Sequence, residues 1–113
     1  MTIPLGPVQG TLELIVLKTL GAGSELHGFA ILEWIRESTD DTLLVEDGAL
    51  YHALHRMEAR GWLKSTWGVS EKGRQAKYYR LSDEGRGALE QEEERWKRYV
   101  DAVAKISPRE AGS

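Results

Sequence analysis

The chain has 113 residues, 41% hydrophobic and 29% charged, with a formal net charge of -3 and no cysteine. That length suits one domain with a single modest core, and the missing cysteine excludes disulfides, thiolate metal sites and a cysteine nucleophile. The start, MTIPLGPVQG, has no basic stretch leading into an apolar one, and no apolar run nears the roughly 18 residues of a membrane span, so a cytoplasmic protein is expected, disordered only at its ends, MTIPLG and SPREAGS.

In residues 8 to 20, VQGTLELIVLKTL, Leu12, Ile15, Val16 and Leu20 recur at helical spacing, and Gly21 and Gly23 stop them. A first helix so apolar all round is expected to be buried on more than one side. SELHGFAILEWIRES predicts a second helix ending near Ser38, with Gly28, Ile31, Leu32 and Ile35 on one face; His27 at its start is read as a structural hydrogen-bonding residue. TLLVE, residues 42 to 46, is β-branched and apolar, the pattern of a short strand.

Asp47 offers an N-cap for a third helix over 48 to 60, which Gly61 ends. At about 100° per residue, Leu50, Ala53, Leu54 and Met57 share one arc, while Tyr51, His52, His55, Arg56 and Ala59 lie opposite. The inner face is predicted core and the outer face is free. The period then becomes two: WLKSTW and KYYRLS read as strands joined by GVSEKGRQA, which carries Lys72 and Arg74, with Lys77 just beyond. Ser82 caps a last helix, with Asp83 and Glu84 suited to its positive end, running to about Ile106 before Pro108.

Charge is unevenly spread along the chain. Residues 1 to 51 carry two basic and eight acidic side chains, residues 52 to 80 seven and two, and residues 82 to 113 six and eight. The middle is therefore a basic island, and a binding surface responds to charge within roughly 10 Å rather than to the chain total. Tyr51, His52, His55 and Arg56 can donate to phosphates or base edges, and Tyr51 adds the anion-attracting first turn of a helix. Lys72, Arg74 and Lys77 are expected beside them on the DNA backbone. Glu58, at the margin of this face, is expected to pair with an arginine of the chain.

Together these elements make a mainly α protein with a small β-ribbon: a winged helix-turn-helix DNA-binding domain over 8–82 and a C-terminal dimerisation helix over 83–106. In the same order, LHGFAILEWI, VEDGALYHALHRMEARGWL and KYYRLSDEG resemble the PadR family of bacterial winged-helix transcriptional regulators, over about residues 10 to 106. The total length is that of the shorter branch, with a single C-terminal helix. The resemblance implies a DNA-binding regulator whose third helix enters the major groove. Family members usually carry Ser or Thr where Ala49 stands, Pro where His52 stands and Tyr where Phe29 stands. A hydroxyl suited to a phosphate is thus absent at 49 and a new donor is present at 52, so the DNA preference of relatives does not carry over.

On the last helix Leu89, Trp96 and Val103 recur every seven residues, with Tyr99 and Ile106 in the companion seam and Glu92 interrupting it. This stripe is expected to pair two subunits. Dimeric relatives in the resembled family bind small aromatic effectors, which implies a site lined by Trp96 and Tyr99 with Glu92 as its polar group; Trp96 filling the dimer core is the competing reading. His52 and His55 stand three apart without a third ligand, so no metal or other cofactor is expected, and no catalytic motif is present. The reading is a homodimeric regulator, a repressor released by an aromatic effector; the alternative is a winged-helix protein-interaction module without DNA binding.

Overall fold

The structure, a computed structural model, describes residues 3–112. Its elements are α1 (Leu12–Leu20), β1 (Leu26–His27), α2 (Gly28–Ser38), α3 (Asp47–Ala59), β2 (Leu63–Val69), β3 (Gln75–Leu81) and α4 (Asp83–Lys105). This is the winged helix-turn-helix expected, mainly helical with a small antiparallel sheet. The helix predicted from residue 8 starts only at Leu12, because Gly10 adopts φ +84° and turns the chain first.

The sheet has three strands rather than two, in the order β1-β3-β2. Leu26 and His27, expected within the second helix, are extended and pair with Tyr79 and Tyr78. His27 then caps α2: the Ala30 amide donates to its Nδ1 at 3.1 Å. TLLVE forms no strand of its own. Besides turn bonds to Thr39 and the start of the next helix, its backbone meets the N-terminal arm, with the Leu5 amide donating to the Thr42 carbonyl at 2.7 Å and the Leu44 amide to the Leu5 carbonyl at 2.9 Å, an isolated bridge with nothing further to extend it.

The core gathers around α1, whose Val16, Leu17 and Leu20 are fully buried among Ile31, Leu50, Leu54 and Met57, with Leu63, Tyr79 and Leu81 of the sheet. Each such aliphatic side chain contributes about 1.5–3 kcal/mol on burial. The junction into α4 is built on Ser82. Its buried hydroxyl donates to the Gly61 carbonyl and accepts the Gly85 amide at 3.0 Å, while its own amide donates to the Trp62 carbonyl at 3.0 Å.

The first three turns of α4 complete this core. Ala88 is buried, and Leu89 packs against the core so closely that a β-carbon at Gly21 would lie 2.9 Å from its Cδ2. Leu89 is therefore partly covered by its own domain, at the head of the stripe with which its spacing grouped it. Lys18 pairs with Glu93 at 3.1 Å, and from Glu94 onward every described residue is exposed. The helix thus projects, stretching the molecule to 65 Å along its longest axis. Its tail carries Trp96, Tyr99, Val100 and Val103 as an uncovered apolar strip, while Ile106, 77% exposed, is the extended residue that ends the helix.

Gly85 is held to glycine by the same junction, since a β-carbon there would come within 2.1 Å of the Trp62 carbonyl oxygen. Gly85→Ala is expected to lower stability by about 1–3 kcal/mol through this overpacking, read as a lower urea midpoint; an unchanged midpoint would mean that the junction relaxes freely.

Candidate nucleic-acid interface

Helix α3 carries the candidate interface, and its two faces differ sharply. Leu50, Ala53, Leu54 and Met57 are buried, whereas Tyr51, His52, His55 and Arg56 are exposed. The expected Asp47 cap is corrected: Glu46 is the N-cap residue, with no side-chain capping bond, and Asp47 lies inside the first turn, where its charge still faces the positive helix end. The far end is fixed by Gly61 at φ +84°, with the Trp62 amide donating to the Met57 carbonyl at 2.9 Å and the Gly61 amide to the Glu58 carbonyl at 3.0 Å. That paired closure is the Schellman arrangement, and it turns the chain directly into β2.

The Tyr51 ring lies across the start of α2, over Gly28. A β-carbon at Gly28 would fall 2.6 Å from the Tyr51 hydroxyl oxygen, so only glycine leaves room for this pose. Tyr51 and His55 form one wall of a groove of about 770 Å³ between α3, the start of α2 and the hairpin; Lys72, Arg74 and Lys77 line its other side. His52 and Arg56 stand outside the groove. Five of the seven residues expected to contact DNA are thus brought together, and two occupy the neighbouring strip of the helix.

The hairpin bends over Ser70–Arg74, where the Gly73 amide donates to the Ser70 carbonyl at 2.9 Å and Gly73 takes φ +75°. Lys72 lies over the Phe29 ring at 5.4 Å, which draws the wing toward α2. Trp67, 70% exposed, faces Lys77 across the two strands and also lines the groove. Neither Phe29 nor Trp67 stands out in the sequence as a groove residue. The two-residue alternation of β2 and β3 does place Trp67 on one sheet face with Ser65, and register then adds Lys77 and Tyr79.

Several cations of the basic island are already partnered. Glu13 of α1 holds Arg56 at 3.5 Å and also Arg60, which lies in addition over the Trp62 ring at 5.0 Å. Such exposed pairs are worth at most about 1 kcal/mol and exchange readily for a phosphate. Arg80 pairs with Glu25 at 3.4 Å. Glu58 pairs with Lys77 at 2.9 Å and accepts the Ser65 hydroxyl, so its partner is a lysine of the wing rather than the arginine expected. The hydrogen bonds from Ser65 and Lys77 hold the Glu58 carboxyl below its ordinary range, and the bond to Glu58 lifts the Lys77 ammonium above its own. Lys72 and Arg74 enter no ion pair among the described residues.

The residues grouped as an effector site lie apart from this groove, on the exposed tail of α4. Trp96 and Tyr99 stack with ring centroids 6.1 Å apart and planes at 25°. Glu92 is turned to Arg95 at 3.6 Å. Among the described residues no group of three or more histidines and acids is placed to hold a metal.

The opposed shifts of Glu58 and Lys77 define a pH window for their pair. With the Glu58 pKa lowered, its contribution is complete above the ordinary carboxylate range and lost as pH falls through the folded value; with the Lys77 pKa raised, it is complete below the ordinary lysine range and lost as pH rises through the folded value. The stability difference between the protein and Glu58→Gln is expected to stay level from about pH 5 to about pH 9 and to shrink toward about pH 3. Urea titrations at both ends of that range check it, and a difference that survives at the acid end would contradict the pairing.

A family model described as the PadR-like family of transcriptional regulators matches residues 16–91. Among solved structures, a transcriptional regulator from Clostridium thermocellum is 29% identical with a TM-score of 0.79, over 88% of this chain and 96% of that one. A PadR family transcriptional regulator from Eggerthella lenta is 32% identical with a TM-score of 0.73, over 86% of this chain and 81% of that one. Another from Clostridium difficile is 29% identical with a TM-score of 0.68, over 83% of this chain and 94% of that one. With the family model spanning most of the chain and the same winged helix found in these regulators, the protein belongs to the PadR-like family of transcriptional regulators.

Proposed function

We propose that this protein binds double-stranded DNA as a homodimer and represses transcription by occupying a pseudo-palindromic operator. The observation that carries the reading is the groove itself: in a chain of net charge -3, Tyr51 and His55 of α3 face Lys72, Arg74 and Lys77 of the hairpin across one concave surface. Helix α3 enters the major groove, with Arg56 exchanging Glu13 for a base edge or phosphate and His52 donating beside it, while Lys72 and Arg74 take the backbone. Residues 8–82 are the DNA-binding unit, completed by the first turns of α4. The remainder of 83–106 pairs the subunits and sets two half-sites about 34–36 Å apart.

The pairing is supported by the uncovered strip of Trp96, Tyr99, Val103 and Ile106 on a helix that projects from the body. Leu89, partly buried against the core, leaves only part of its surface to add to it. A small aromatic effector between the subunits would stack on Trp96 and Tyr99, with Glu92 near its polar end, and would release DNA by favouring a different spacing of the two heads. A regulator of this kind works in the cytoplasm, and no described helix is long and apolar enough to cross a membrane.

Fluorescence anisotropy against the duplex upstream of the protein's own gene, with a scrambled duplex beside it, tests the reading. Tyr51→Phe is expected to weaken specific binding by about fivefold and Arg56→Ala by about tenfold, while Lys72→Ala and Arg74→Ala each lower the salt slope by about one. Unchanged affinity in the first two variants would remove α3 as the reading element. Absence of any preference, repeated with other genomic fragments, would favour the protein-interaction module, which Ala49 and the acidic total support.

Sedimentation tests the dimer. Trp96→Glu is expected to raise its dissociation constant by about two orders of magnitude, on the order of 3 kcal/mol for charge placed in an apolar seam; a protein already monomeric at micromolar concentration would overturn the pairing.

A further inference from the structure

Glu58 lies in the last turn of α3, beside the groove proposed to meet DNA. A carboxylate there should repel phosphate, yet its two oxygens are engaged by different strands of the wing. Oε1 accepts from Lys77 Nζ on β3 at 2.9 Å, and Oε2 accepts from Ser65 Oγ on β2 at 2.5 Å. Among the described residues these are the only side-chain hydrogen bonds between α3 and the two strands. The strands themselves are rooted in the core at Leu63, Tyr79 and Leu81; further out, Thr66, Trp67 and Val69 are exposed.

The clip therefore sits midway along a lever. From Ser65 to Ser70 the strand runs about 16 Å, so a 10° rotation of the hairpin about that level would carry the tip about 3 Å. That displacement exceeds the tolerance of a hydrogen bond to a phosphate oxygen. Lys72 at the tip is steadied otherwise only by its position over Phe29, a weak contact between exposed groups.

We propose that Glu58 is a positioning residue for DNA binding: by tying both wing strands to the recognition helix it fixes the reach of Lys72 and Arg74, so that removing this acid weakens DNA binding instead of strengthening it. The proposal rests on the DNA-binding reading above. Simple electrostatics makes the opposite forecast, because losing a negative charge, and freeing Lys77 to meet a phosphate, would tighten binding and steepen its salt dependence. The two accounts differ in sign.

The test has two arms. In the first, anisotropy with the upstream duplex compares the parent with Glu58→Ala and Glu58→Gln, and repeats Glu58→Ala in a Lys72→Ala, Arg74→Ala background. Glu58→Ala is expected to weaken binding by about fivefold to tenfold, the size of ordinary coupling between contacting groups. Glu58→Gln, which keeps an acceptor for Ser65, should lose less, and in the tip-deficient background the Glu58→Ala loss should disappear. Equal or tighter binding by Glu58→Ala, or an undiminished loss in that background, overturns the proposal.

The second arm needs no DNA. The chain has no cysteine, so Ala59→Cys and Glu71→Cys introduce its only thiols, and spin labels on them, diluted with unlabelled protein, report the distance from the end of α3 to the wing tip by pulsed electron resonance. A narrow distribution in the parent that broadens with Glu58→Ala supports the clip, and identical distributions overturn it. A parent that prefers no genomic duplex would end the DNA-binding reading and this role with it, while the distance measurement would still decide whether Glu58 fixes the wing.

Discussion

The buried hydroxyl of Ser82 is the constraint on which the arrangement of the molecule depends. Ser82 stands where β3 ends and α4 begins, and its bonds to the Gly61 carbonyl and the Gly85 amide, with the backbone bond to Trp62, join the end of α3 to the start of α4. A polar group buried to this degree is costly unless satisfied, and here donor and acceptor capacity are both used. Because Gly61 also closes α3, the same few residues determine where α3 stops, where the hairpin departs and in which direction the long helix projects. The surface proposed to meet DNA and the strip proposed to pair subunits are therefore mechanically joined through one junction.

The electrostatic arrangement separates charge that is structural from charge that is available. Glu13, Glu25 and Glu58 each take cations from the basic island, steadying α3 and the strands, whereas Lys72 and Arg74 at the hairpin tip stay outside those pairs. An overall acidic chain can present a basic surface in this way because screening limits each charge to its neighbourhood. The groove is also rich in aromatic side chains. Phe29, Tyr51, Trp67 and Tyr79 line it, giving flat apolar walls beneath the cations.

Helix α4 shows how one periodic pattern serves two purposes. Leu89, Trp96 and Val103 recur every seven residues, with Glu92 interrupting the companion seam, yet the structure divides the stripe: Leu89 packs, partly buried, against the domain core beside Gly21, and Trp96 onward lies in the open. Periodicity identifies which residues share a face. It does not say what covers each part of that face, because this depends on where the rest of the chain ends.

The amino-acid sequence by itself determined the number and order of the helices, the inner face of α3 and the Ser82 cap, because these follow from periodicity and local capping chemistry over a few adjacent residues. It also placed the basic island, and with it the surface that faces the hairpin. Only the tertiary structure decided the rest. The two-residue strand at Leu26 and His27 exists because β3 lies beside it, and the apolar run at 42–46 stays irregular because no neighbouring strand does. Tyr51 is directed by Gly28, Arg56 by Glu13 and Lys77 by Glu58, each across elements far apart in the chain. Such pairings depend on distances of a few ångströms set by packing, and no local pattern in the sequence encodes them.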